Sequence, residues 1–174
     1  MRSPKAAPAA LACLLLLLAG EIRSATTAVS ATVASFCVMA VTSSAVSLTV
    51  SNPAAPGGVP SNPVGSSSYA QYSSTVASGV TRRITAAWAT GNTAPTGCSL
   101  LLQASVPSGY GTSAGQITVS TTAQNLVTGI GGCATGTGST SGAQLVYTLS
   151  IGAMTSLVAN ESKSATITLT LTDS

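Results

Sequence analysis

The sequence predicts an all-β protein: an antiparallel β-sandwich of immunoglobulin-like or pilin-like type, with about eight to nine strands after an N-terminal signal peptide. Three observations predict it. The closing stretch "SATITLTLTD" sets Ala165, Ile167, Leu169 and Leu171 against Thr166, Thr168, Thr170 and Thr172, the period of two that gives a strand one apolar and one polar face. Further short runs of this kind recur between Gly, Pro and Asn clusters. No window beyond the leader sustains the helical spacing of apolar residues. An up-and-down barrel is the structural alternative for the same spacing.

The leader is "MRSPKAAPAALACLLLLLAG", in which Arg2 and Lys5 precede an apolar run that is short for a bilayer span and gives way to the polar "EIRSA". That order reads as a secretory signal peptide, residues 1–24, with cleavage after Ser24. The remaining residues 25–174 then form one domain, with no membrane span after cleavage. Its expected address is secreted, extracellular or cell-surface, with the periplasm as the alternative.

Strands are expected over residues 28–41 ("AVSATVASFCVMAV") and 45–51 ("AVSLTVS"). Residues 52–68 ("NPAAPGGVPSNPVGSSS") read as a long loop, because the prolines lock φ and remove backbone donors. Strands resume over residues 69–76, 80–90, 99–106, 115–130 and 143–151, and the last closes the chain. In "VTRRITAAWAT", Ile84, Ala86 and Trp88 share one face. "AMTSLVA" (153–159) is the one place where a helical turn is expected. With one Trp and one Phe, the core falls to Val, Leu, Ile and Ala.

Composition argues against several functions. Beyond residue 24 the charged side chains are Arg82, Arg83, Lys163, Glu161 and Asp173, too few for a nucleic-acid footprint. The chain has no His, and its expected mature carboxylates are Glu161 and Asp173, so the groups that carry acid and base catalysis are scarce. The expectation is a non-enzymatic protein with no catalytic residue, no cofactor and no metal. The Gly-rich "GIGGCATGTGSTSG" (129–142) leads into a strand and holds no Lys, so it reads as a loop rather than a phosphate cradle.

Cys37, Cys98 and Cys133 follow the leader. Cys98 and Cys133 each sit in a Gly-containing stretch and are the expected disulfide, while Cys37 in "SFCVMAV" reads as a buried small hydrophobe. Trp88, Tyr69, Tyr72 and Tyr110, with Arg82, form a candidate ligand surface for carbohydrate by stacking. Arg82 and Arg83 read alternatively as charges that guard a strand against edge pairing.

"VTRRITAAW", "STTAQNLVTGI", the cysteine-bearing Gly-rich loop, "LVYTLS" and the Thr-rich last strand together resemble a group of secreted bacterial β-sandwich proteins of uncharacterised function. Their wider strand pattern is similar to that of fimbrial and adhesin subunits. The resemblance implies an exported domain and supplies no catalytic residue. A structural subunit, fimbrial or of the extracellular matrix, is therefore expected to associate by strand addition with its own kind or with another surface protein. The candidate donor is the start of the mature chain, where Val29, Ala31 and Val33 alternate with Ser30, Thr32 and Ala34. A carbohydrate-binding or adhesion module is the alternative.

Overall fold

The computed structural model describes residues 25–43 and 45–174; the expected signal peptide lies outside them. Residues 33–174 form one compact unit. Residues 25–32 fall outside it, are exposed and belong to no helix or strand. Every strand among the described residues lies within 33–174.

Among the described residues, ten strands form two antiparallel sheets that share one apolar core and do not close into a barrel. The larger sheet contains β1 (Phe36–Val41), β2 (Val64–Thr75), β4 (Cys98–Ser105), β6 (Gln116–Thr118), β8 (Cys133–Ala134) and β9 (Ala143–Ile151). Its order is β1-β2-β9-β4-β6, with β8 beside the end of β2. The smaller sheet contains β3 (Arg82–Trp88), β5 (Thr112–Ser113), β7 (Gln124–Ile130) and β10 (Ile167–Asp173), in the order β10-β3-β7-β5.

Alternation decides what each sheet buries. Leu100, Leu102 and Ala104 of β4 stand opposite Leu149, Tyr147 and Leu145 of β9, so these residues share the inner face. Ile84 and Ala86 of β3 and Leu126, Val127 and Ile130 of β7 meet them from the other sheet. Leu102, Ile84, Leu126, Ile130 and Leu145 are fully enclosed. Each contributes about 1.5–3 kcal/mol by burial.

Several expectations are corrected. Within residues 28–41 only Phe36–Val41 is strand. The loop expected over 52–68 ends earlier, since β2 begins at Val64 and Pro63 O accepts from Leu149 N at 3.0 Å. The single strand expected over 115–130 is two strands, β6 and β7, in different sheets. Residues 45–51 keep the alternation in burial but join no sheet. The turn expected near 153–159 is a 3-10 turn, Met154–Ser156.

The Cys98–Cys133 disulfide is absent: all three described cysteines are free thiols. Register explains why. Cys98 pairs with Ile151 at one end of β9, whereas Cys133 pairs with Ser74, beyond the Ala70–Ala143 pair at the other end. The span of β9 alone separates these levels by roughly 25 Å, whereas a disulfide needs Cα atoms within about 7 Å. Cys37, expected to be buried, is exposed on β1.

Candidate functional site

The two lateral flanks of the fold are built differently. On one flank the chain itself ties the sheets together. Val119 N donates to Leu100 O of β4 at 2.9 Å, and Ser120 O accepts from Trp88 N of β3 at 2.9 Å, so one short stretch bonds to both sheets.

The opposite flank is open. It is bounded by β1 and β10, the terminal strands of the two sheet orders. Cys37, Met39 and Val41 lie opposite Ser74, Tyr72 and Ala70, so all six share the inner face of the larger sheet. The β2 residues are almost wholly enclosed, yet Cys37 is exposed, Met39 half-buried and Val41 40% exposed. The same holds across the core. Leu169 and Leu171 of β10 stand opposite Ala86 and Ile84, which are fully buried, but remain only half-covered themselves. Inner side chains on this flank lack the cover that one more strand would provide.

Residues 45–51 pack on this incomplete core. Val46, Leu48 and Val50 are half-buried, and the residues between them are exposed. Gly65 of β2 makes their seat: a Cβ there would lie 2.5 Å from Val46 Cγ1 and 3.2 Å from Leu48 Cδ2. Among the described residues, no backbone hydrogen bond joins residues 46–51 to a strand. They form an extended segment with the faces of a strand and no ladder.

Arg82 fastens one end of the open flank. It shares the inward parity of Ile84 and Ala86, and its side chain is 7% exposed. Nε donates to Asp173 Oδ1 at 2.8 Å, at the end of β10, and Nη2 to Ser35 Oγ at 2.9 Å. Nη1 donates to Phe36 O and, at 3.4 Å, to Ser74 Oγ. One guanidinium thus joins β1, β2 and β10. The side chain read as a ligand contact or edge guard is an internal clamp.

The aromatic residues do not form one exposed platform. Tyr72 is 2% exposed, and its hydroxyl donates to Tyr110 O at 2.6 Å. Burial, reinforced by Cys133 and Tyr110, holds its phenol far above the usual range. Tyr110 and Trp88 are partly buried against the core, and Tyr69 meets Gln144 Nε2 at 3.3 Å on the outer face of β2. Arg83 lies on the other face of β3 from Arg82, and its Nε is buried without a partner.

The remaining charges are also structural. Glu161 accepts from Thr96 N at 2.8 Å and pairs with Lys163 Nζ at 3.1 Å, while Lys163 also reaches Ala94 O at 3.3 Å. The Thr96 N–H, followed by Lys163, lowers the Glu161 pKa. These contacts tie the loop before β10 to the loop after β3. The Cys98 and Cys133 thiols are pushed up chiefly by burial. Among the described residues, no three potential metal ligands cluster, and no helix is long and apolar enough to cross a membrane.

Comparison with known protein families, characterised proteins and solved structures finds no match.

Proposed function

We propose that this is a non-enzymatic structural protein of the cell surface or extracellular matrix, a fimbria-like subunit that associates by strand addition. The observation that carries this reading is the open flank, where inner residues of both sheets stay partly uncovered beside an unpaired extended segment.

Strand order supports the same conclusion. An immunoglobulin sandwich sets strands A-B-E-D against C-F-G. Here β1-β2-β9-β4 follows A-B-E-D, and β3-β10 follows C-F. The place of G beside β10 holds no strand among the described residues. A strand laid there finds free backbone groups along β10 and covers Ile167, Leu169 and Leu171, so main-chain bonds supply affinity and side chains set register. The candidate donor is the segment carrying Val29, Ala31 and Val33; Val29 and Val33 are 86% and 84% exposed. The leader sequence is consistent with export to a surface.

Size-exclusion chromatography with light scattering tests this function. The purified protein is expected to form oligomers whose mass rises with concentration, and deletion of residues 25–32 is expected to lower that mass while the chain stays folded. A concentration-independent monomer would overturn the proposal. Unchanged oligomers after the deletion would remove this segment as the donor.

A further inference from the structure

We infer that β1 is a docking strand for a second copy of this chain, the two β1 strands running antiparallel across a two-fold axis at Met39. This rests on the strand-addition reading and names the partner and the register for one of the two open edges.

The direction of the backbone groups decides what β1 can offer. Thr42 N donates to Tyr69 O at 2.9 Å, so Thr42 turns its peptide groups towards β2. These groups alternate along an antiparallel strand. Val38 and Ala40 therefore also face β2, while Cys37, Met39 and Val41 point theirs to the side that has no strand neighbour among the described residues. That free row lacks the usual guards against pairing. The segment FCVMAV holds no Lys and no Pro, its register against β2 is unbroken by a bulge, and no charged residue occurs in residues 25–42. Phe36, Val38 and Val41 are 49%, 64% and 40% exposed. An apolar edge of this kind pairs readily with another strand. Because the strand carries no charge, an identical copy is not repelled.

Symmetry and sidedness narrow the register. Residues opposite each other must face the same side, and the outward-pointing residues must be the ones that bond. Met39 opposite Met39 of the second copy satisfies both conditions and engages the whole free row. Cys37 then meets Val41 of the second copy, Val41 meets its Cys37, and about six hydrogen bonds form. On the outer face Val38 meets Ala40 of the second copy, apolar against apolar. The contact is isologous and closes at two copies, joining the larger sheets into one. The β10 edge stays free for further association.

Cross-linking tests the register. In full chains carrying Cys13→Ala, Cys37→Ser, Cys98→Ala and Cys133→Ala, the added change Met39→Cys is expected to give a disulfide-linked dimer on mild copper-phenanthroline oxidation. The facing Cα atoms would lie roughly 5.5 Å apart, within disulfide range. Chains that keep Cys37 and carry only Cys13→Ala, Cys98→Ala and Cys133→Ala are expected to stay unlinked, because the two Cys37 residues would be offset by about 13 Å. Met39→Pro removes only an outward-pointing N–H and leaves the β1–β2 ladder intact. It is expected to weaken dimerisation by at least about tenfold.

Oligomers that survive Met39→Pro, with no Met39→Cys cross-link, would overturn docking at β1 and leave strand addition to the β10 edge. Cross-linking through Cys37 would overturn the register. A monomer at every concentration would overturn both this inference and the proposed function. Should Met39→Pro fail to fold by circular dichroism, the cross-linking pattern decides.

Discussion

Replacing Arg82 by Ala should destabilise the fold far more than a surface substitution would. The magnitude follows from its partners. Ser35, Phe36 and Asp173 are exposed, so water can replace the guanidinium at each of them. Ser74 is 1% exposed and would keep an unsatisfied hydroxyl, at a cost of about 1–3 kcal/mol. Losing charge-assisted bonds to three strands, together with the packing of the buried stem, adds about 1–2 kcal/mol. The expected loss is therefore about 2–5 kcal/mol, or roughly 6–15 °C in Tm for a domain of this size. Arg82→Lys keeps the charge without the planar fork and should fall between the two. Urea unfolding followed by Trp88 fluorescence is the assay. Trp88 lies at the opposite end of β3 from Arg82, so its signal reports the whole transition rather than the clamp. A change below about 0.5 kcal/mol with an unaltered denaturant slope would refute the clamp.

Three further outcomes are expected. Gly65→Val should displace residues 45–51, because a Cβ already meets Val46 Cγ1 at 2.5 Å; limited proteolysis should then cut this segment faster while the two sheets remain intact. Of the three described thiols, Cys37 should be labelled first by an aromatic disulfide reagent at neutral pH, since it is exposed whereas burial raises the Cys98 and Cys133 pKa values and so reduces their thiolate fraction. The Glu161 pKa is lowered on folding, so its stabilising contribution is present above the ordinary carboxylate pKa and is lost as pH falls through the lower folded value. Hydrogen exchange in residues 89–97 should rise over that acid range in the parent and lose this dependence in Glu161→Gln.

Period-two alternation made the all-β class readable, and it located β9 to the residue because Leu145, Tyr147 and Leu149 sit on a single face from end to end. The same signal failed between β6 and β7. Val119 remains buried, and the polar Ser120, Thr121 and Thr122 that follow are acceptable in a strand, so no Gly or Pro marks the crossing between sheets. Strands β5 and β8 have two residues each, too short for any period. Alternation reports faces and says nothing of partners, which is why residues 45–51 were legible as two-faced and illegible as unpaired. Arg82 was misplaced by the rule that charges lie outside. Its shared parity with Ile84 and Ala86 was the available signal. The cysteine pairing depended on the register of β2, β9 and β4, which local composition does not encode.

The open flank is most directly tested by hydrogen–deuterium exchange at rising protein concentration, resolved to the peptides covering residues 36–41, 45–51 and 167–173. If association adds strands at this flank, amides there should gain protection as oligomers form, while the already bonded β4 and β9 show no change. Rapid exchange at the flank at every concentration, or new protection confined to the β5 and β6 side, would contradict strand addition at the open flank.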